Sequence, residues 1–431
     1  MTDRVEFVSL ERLYRVGLAA FLATQAPRLL VRYVRAGRYR EGLAQRLGRA
    51  LPALPQAPDG RGPIWIHAVS VGEAAAARPL VARLRAARAD LPVVLSTVTD
   101  TGQAVARSLL PEIPTFYFPF DFAGPVARSL AHVRPRLVVL METELWPTFL
   151  LACRRRRIPI LLANGRVSRR SFARYTRVRR LLAPALTGIA SFCMQSREDA
   201  ERITALGADP GRVAVLGNVK YDLDPGQPAR RADFELPDGV PLLIAGSTHR
   251  GEEEAVLRAY ALAREATPGL RLLLAPRHPE RAPEVEALVR RAGHACRLRS
   301  ALRESAAPAG EAPVIVLDTV GELLGLYALA TVAFVGGSLV AWGGHNPLEP
   351  AVWGRPVLFG PHMGNFQAMA EAFLARGAAV QVPDAAALGA TVRALLADAR
   401  RREMLGRAAA GVLAEHRGAT QGIVRAIEAL L

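Results

Sequence analysis

The feature that most constrains this chain is a repeated alternation of short apolar runs with helical patterns. From residue 63, "PIWIHAVSVGE" precedes "AAAARPLVARLRAAR", "LPVVLSTVTDTG" precedes "QAVARSLL", and "RPRLVVLMETE" precedes "LWPTFLLACRRRR". "IPILLANGRVS", "GIASFCMQS" and "RVAVLGN" continue the series. Runs of about four to six apolar residues that end in a polar turn and feed an amphipathic helix predict a parallel sheet with helices on both faces. Near residues 222–240 the pattern breaks into Pro, Gly and charge, which predicts a linker. It then restarts with "VPLLIAGSTHRGEE", "LRLLLAPRHPER", "PVIVLDTVGE", "TVAFVGGS" and "RPVLFGP". The expectation is two doubly wound α/β domains, over 51–225 and 226–431. Ligands in such folds bind at the carboxyl ends of strands, so the two sets of polar turns are expected to face one central cleft.

Residues 1–50 form a separate section, with ten Arg against four acidic residues. Gln25, Pro27 and Arg28 interrupt its least polar part, so a clean apolar span is missing. No small-residue cleavage site of signal-peptide type follows it. An Arg-rich amphipathic helix lying on an anionic membrane surface accounts for this pattern; an ordinary helix packed on the body is the plain alternative.

Formal net charge is +17, which points to anionic partners such as nucleic acid, phospholipid or phosphorylated substrates, or to an Arg-inflating coding bias. Such a bias makes exceptions informative. Lys220 is the one lysine among 56 basic residues. The four asparagines are Asn164, Asn218, Asn346 and Asn365. The three cysteines are scattered, and neither a disulfide framework nor a structural zinc site is expected.

The turns carry the chemistry. "HAVSVGE" puts Glu73 where a helix starts, either as an acidic cap or as a general base. "METELWP" ends an apolar run with Glu142 and Glu144. Metal binding, hydroxyl binding and helix capping are all open for this pair, with hydroxyl binding or shaping of the base favoured. "DLD", Asp222 to Asp224, spells a metal-binding pattern too short to carry weight. Arg277 in "APRHPER" is a guanidinium that can clamp phosphate. "DTVGEL" offers backbone N–H groups at a turn. "GGSLVAWGGHNPLEP" brings backbone close to a ligand through its glycines, with Glu349 able to accept from a ribose diol. Dinucleotide and P-loop signatures are missing.

Taken in order, "IWIHAVSVGE", "YFPFDF", "METELWP", "LLANGRVSRRS", "LGNVKYD", "GSTHRGEE", "PRHPER", "DTVGEL", "FVGGSLVAWGGHNPLEP" and "GPHMGNF" resemble the 3-deoxy-D-manno-octulosonic acid (Kdo) transferases of lipopolysaccharide assembly. The resemblance runs over roughly residues 63–366. It implies a GT-B fold of two Rossmann-like domains. It implies Kdo transfer from CMP-Kdo to lipid IVA by an inverting displacement with no metal and no separate cofactor. It also implies a monotopic protein on the cytoplasmic face of a bacterial inner membrane, without a nucleic-acid partner. Carried over residue by residue, Glu73 resembles the proton acceptor, and Glu142 and Lys220 resemble the transition-state stabilisers. The CMP site resembles Pro276 and Arg277, then Val320, Gly321 and Glu322, then Asn346, Pro347, Leu348 and Glu349. Val320 stands where the family often has Met, and Gly165 where it often has Ala. Rival expectations are a UDP-sugar enzyme or epimerase on the same fold, told apart by nucleotide preference, and a non-catalytic binding protein, which would lack the acid at position 73.

Overall fold

The computed structural model describes residues 42–303 and 313–431. Residues 1–41, the bulk of the expected membrane-associating segment, lie outside the described residues. Two compact units emerge, each built on a seven-stranded parallel sheet.

In the first unit the strands are β1 (Ile64–His67), β2 (Val93–Thr97), β3 (Thr115–Tyr117), β4 (Leu137–Met141), β5 (Ile160–Gly165), β6 (Ser191–Met194) and β7 (Val213–Val215). Their order across the sheet is β3-β2-β1-β4-β5-β6-β7. The second unit contains β8 (Leu242–Thr248), β9 (Arg271–Pro276), β10 (Cys296–Leu298), β11 (Val314–Val316), β12 (Val332–Val335), β13 (Val357–Phe359) and β14 (Ala379–Gln381), in the order β10-β11-β9-β8-β12-β13-β14. The apolar runs seen in the sequence are these strands. Alternate residues feed two cores: Trp65, Val138 and Leu140 pack on one face of the first sheet, and Ile64, Ile66 and Val139 on the other. Leu243 and Ala245 are separated from Leu242 and Ile244 in the same way in the second unit. Burial on both faces is why the strands read as continuous apolar runs rather than as alternating ones.

The strand order reverses between β1 and β4 in the first sheet, and between β8 and β12 in the second. Loops leaving the carboxyl ends of two such neighbours diverge and leave room for a ligand. Each sheet also carries a register shift near that end, at Leu162/Gly165 in β5 and at Gly246/Thr248 in β8. Asn164 and Ser247 sit at these bulges with φ of 54° and 57°. Bulges re-aim side chains, and here they do so at the polar ends of the strands.

The boundaries differ from those expected. The second unit spans Leu223–His416, and Arg417–Leu431 returns to the first unit, so 226–431 is not one domain. The helix Ala419–Glu428 buries Ile423, Val424 and Ile427 in the core that holds Ile64 and Leu80. An amphipathic helix has the same pattern whichever sheet it covers, which is why the sequence did not show the return. Asp222 fixes it: its two carboxylate oxygens accept the N–H groups of Gly418 and Thr420, both at 2.6 Å. That is the work of the first Asp in "DLD". The linker expected over 222–240 is in part core, since Phe234 and Leu236 are buried in the second unit, with the Arg299 guanidinium 4.1 Å from the Phe234 ring centre. The tail of the 1–50 section also joins the first unit: Arg46 is buried and donates to Val98 O at 2.6 Å. Among the described residues no helix is long and apolar enough to cross a membrane. The three cysteines are free and buried.

Candidate active site

Glu73 is the third residue of the helix Val71–Ala87, which begins at the carboxyl end of β1. Ser70 caps that helix, and the two side chains form a reciprocal box. The Glu73 N–H donates to Ser70 Oγ at 3.4 Å, Ser70 Oγ donates to Glu73 Oε1 at 3.1 Å, and Val69 N–H donates to Oε2 at 2.9 Å. By these contacts Glu73 is an acidic cap of the helix. It is 7% exposed, and burial pushes its carboxyl up to about 7, with Glu142 adding to the rise and the Val69 N–H, Ser70 and Lys220 opposing it. A carboxyl poised near neutrality suits a general base.

Glu142 follows β4 across the point where the strand order reverses. Its φ is 53°, a left-handed conformation costly for a non-glycine, and its N–H is tied to Ala163 O at 2.9 Å. Glu144 lies in the same cluster. Burial, and then the nearby Glu73, push its carboxyl up to about 8, so it is largely protonated at neutral pH. The sequence left shaping of the base open for Glu144, and the fold puts it beside Glu73.

Lys220 reaches this cluster from beyond the sheet edge, in the short 3-10 turn Val219–Tyr221 after β7. The uncommon asparagines hold that turn. Asn218 Oδ1 accepts the Lys220 N–H at 3.0 Å, and Asn164 Oδ1 accepts the Val219 N–H at 3.1 Å. Gln195 joins the two, donating to Asn164 O at 2.9 Å and accepting from Asn218 Nδ2 at 3.0 Å. The Nδ2 of Asn164 is buried and meets no partner among the described residues. Gly165, beside it, lies against the end of the Met194 side chain: a Cβ would stand 2.5 Å from Met194 Sδ, which would have to shift. Glycine in place of the Ala often found there thus matches a bulky Met194. Glu73, Glu142 and Lys220 are therefore brought together in the first unit.

In the second unit the expected CMP residues come from the ends of three strands, β11, β9 and β12, with β8 lying between the last two. Pro276 ends β9 and is buried; Arg277 follows it, exposed, with its N–H on Thr248 O at 2.9 Å. After β11, Val320 is 86% exposed beside Gly321, whose φ is 92°. The Glu322 carboxylate is engaged by Arg299, at 2.9 Å, and by the Thr319 hydroxyl. After β12, Asn346 Oδ1 accepts the Leu348 N–H at 3.2 Å, and buried Pro347 and Leu348 open the helix Leu348–Ala351. Burial pushes the Glu349 carboxyl up to about 7, against the pull of Arg277 and a hydrogen bond with Asn346. A cavity of about 490 Å³, a size that takes a small ligand, opens beside Gly343, His362, Met363, Gln367 and Glu371.

One residue that sequence reasoning passed over organises this end of the sheet. Glu252 is fully buried, and its two oxygens accept four backbone N–H groups: His249 at 2.9 Å, Gly337 at 2.6 Å, Ser338 at 2.9 Å and Leu339 at 2.8 Å. It ties the loop after β12 to the end of β8. Among the described residues no group of three or more His, Cys, Asp or Glu is placed to hold a metal ion.

A family model described as "3-Deoxy-D-manno-octulosonic-acid transferase (kdotransferase)" matches residues 41–223. A 3-deoxy-D-manno-octulosonic acid transferase of Haemophilus influenzae is 36% identical over 397 residues, covering 91% of this chain and 92% of the relative. One from Bordetella pertussis is 37% identical over 394 residues, covering 89% and 90%. Among solved structures, a UDP-GlcNAc 2-epimerase of Neisseria meningitidis bound to UDP-GlcNAc matches with a TM-score of 0.55 at 12% identity, over 84% of this chain and 99% of that one. That last likeness is one of fold alone, two Rossmann-like units of GT-B type. Relatives this similar over nine-tenths of both chains place the protein in the 3-deoxy-D-manno-octulosonic acid transferase family, as a glycosyltransferase of GT-B fold.

Proposed function

We propose that the protein transfers Kdo from CMP-Kdo to lipid IVA, the tetraacyl disaccharide bisphosphate, with inversion at the anomeric carbon. The observation that carries this reading is Glu73: a carboxyl with a pKa near 7 at the carboxyl end of β1, in a chain whose relatives are Kdo transferases. In the reaction the acceptor hydroxyl oxygen forms the new bond to the anomeric carbon of Kdo. Its proton passes to the Glu73 carboxylate. The bond from that carbon to the phosphate oxygen breaks, and CMP leaves with the electron pair. Lys220 stabilises the charge on the departing phosphate, and Glu142, held at the end of β4, orients the ammonium. Glu144, protonated, donates a hydrogen bond to the acceptor. On the donor side, Arg277 binds phosphate, Val320 and Gly321 pack on the base, and Glu349 with Asn346 receives the ribose hydroxyls. This reading asks for no metal ion, since Lys220 and Arg277 supply the cations.

The Arg-rich segment before residue 42 supports attachment to an anionic membrane, and lipid IVA as acceptor gives such attachment a purpose. We place the protein on the cytoplasmic face of the inner membrane. Purified full-length chain given lipid IVA and CMP-Kdo should yield a product heavier by Kdo, read by mass spectrometry. Turnover of UDP-sugars and none of CMP-Kdo would overturn the reading. Binding to anionic vesicles should weaken with salt and be lost from a chain lacking residues 1–41; equal binding would remove the membrane part alone.

A further inference from the structure

His249, at the end of β8, and His345, in the loop after β12, meet across the point where the second sheet's strand order reverses. Their Nε2 atoms are 2.8 Å apart, their planes differ by 2°, and their ring centres are 5.1 Å apart. That separation is what two imidazoles require when they point nitrogen to nitrogen in one plane. The contact is an in-line hydrogen bond. One ring carries a proton on Nε2 and the other offers a lone pair.

The surroundings prepare this pair. Glu252 holds the His249 N–H. Gly337 leaves the space both rings occupy: a Cβ there would stand 2.9 Å from His345 Cδ2 and 3.3 Å from His249 Cδ2. Trp342, 62% exposed, stacks on His249 at 4.7 Å and 16°. The Nδ1 atom of each ring has no hydrogen-bond partner among the described residues, and neither is sealed from solvent.

Basic side chains surround the pair. Arg277, Arg281 and His278 bear on His249, and Arg277 and His278 bear on His345. Arg281 is neutralised by Glu253 and Glu284, and His278 has Glu280 at 3.3 Å. Arg277 has no ion-pair partner among the described residues, and no carboxylate contacts either histidine ring. Burial lowers both rings below the usual imidazole range, helped by His278, Arg277 and Arg281 at His249, and by His249, Arg277 and His278 at His345, which stands at about 4. A neutral pair in this contact holds two protons, one between the Nε2 atoms and one on a single Nδ1. A third proton would put N–H on both Nδ1 atoms with a charge of one, and only an anion brought against the pair favours that.

We propose that His249 and His345 form an oxyanion subsite of the donor site, taking the phosphate or the carboxylate of a sugar-acid nucleotide and gaining a proton as it binds. The inference rests on the reading of the donor as CMP-Kdo. It adds two ligand-binding residues and sets the place of the negative group beside Arg277.

The test uses the full chain and two separate variants, His249→Gln and His345→Gln. Calorimetry measures binding of cytidine and of CMP, and steady-state kinetics gives the KM for CMP-Kdo and for lipid IVA. A phosphate occupant lowers CMP affinity at least tenfold in the variants and leaves cytidine unchanged. A carboxylate occupant leaves CMP unchanged and raises the KM for CMP-Kdo at least tenfold, with the KM for lipid IVA unmoved. Changes under threefold in both overturn the proposal. In the wild-type chain, the C2–H resonances of the two rings should titrate at higher pH with CMP-Kdo present; curves that do not move also overturn it, even where a variant fails to fold. A wild-type chain that neither binds CMP nor uses CMP-Kdo sinks the donor reading instead, whereas an active wild type with indifferent variants sinks the subsite alone.

Discussion

Asn164 Oδ1 accepts the N–H of Val219 at 3.1 Å, tying the bulged end of β5 to the turn that carries Lys220. β7 lies at the sheet edge, two strands from β5, and its loop would otherwise have no reason to return to the centre. Asn164→Ala removes this acceptor and places Ala at a φ of 54°. We expect a fall in kcat of at least tenfold with little change in KM. Stability should fall by about 1–3 kcal/mol, the usual cost of leaving a buried donor unpaired. Asn164→Gly separates the two causes, since glycine accepts the φ but not the hydrogen bond. Wild-type kcat in the Gly variant would show that the bond does not position Lys220.

In the proposed role of base, Glu73 should set a pH dependence. The base must be ionised to accept a proton, so kcat/KM should rise with pH up to about 7 and then level. Glu73→Gln should lose that limb and about 10²–10⁴ of the rate. The same shift has a stability sign. The folded pKa lies above the ordinary 4.5, so folding favours the protonated form. That stabilisation is complete below pH 4.5 and is lost as pH rises through 7, a difference on the order of 3 kcal/mol. Glutamine mimics the protonated acid. Glu73→Gln should therefore melt above wild type at pH 8 and lose the advantage at pH 5. Equal melting at both values would show that Glu73 is not buried as described.

Much of this was legible in the sequence for a physical reason. Strands buried on both faces write themselves as apolar runs, and a helix that must start at a strand end writes Ser-x-x-Glu, as Ser70 and Glu73 do. Partnerships made in space are not written that way. His249 and His345 are 96 residues apart, and Asn164 and Val219 are 55 apart. Only rarity hinted at the second pair, because an Arg- and Ala-rich chain kept Asn164 and Asn218. Nothing marked the return of the helix Ala419–Glu428 to the first unit, since Asp222, its anchor, lies almost two hundred residues earlier.

Glu252 offers a test on the donor side. Its carboxylate accepts four N–H groups, three of them consecutive, from Gly337 to Leu339. Glutamine would turn one acceptor into a donor facing N–H groups. Glu252→Gln should lose about 2–4 kcal/mol of stability, since hydrogen bonds to charged groups contribute the most. Below its melting range it should show a KM for CMP-Kdo raised at least fivefold. The rise of kcat/KM toward pH 7, set by Glu73, should persist. A variant as stable as wild type would show that the loop after β12 is held by other contacts.

The sharpest test concerns Lys220. Arginine supplies every other charged basic side chain, so Lys220→Arg keeps charge and follows the protein's own habit. An idle surface lysine would tolerate it. Lys220 is half-buried, on a turn whose backbone is fixed by Asn164 and Asn218, and its charge is felt at Glu73. In the proposed role, stabilising a leaving phosphate suits a compact ammonium on a flexible stem, whereas the guanidinium is wider and presents a fixed fork. Losing a well-placed donor of this kind costs on the order of 3 kcal/mol in the transition state, about a hundredfold in rate. Lys220→Arg should therefore lose at least tenfold in kcat with an unchanged melting temperature. Lys220→Ala should lose more. It should also raise the pKa seen in the pH profile, because the Lys220 charge is one of the influences holding the Glu73 carboxyl down. Wild-type turnover in the Arg variant would make the lone lysine an accident of composition. An unmoved pKa in the Ala variant would separate it from the base.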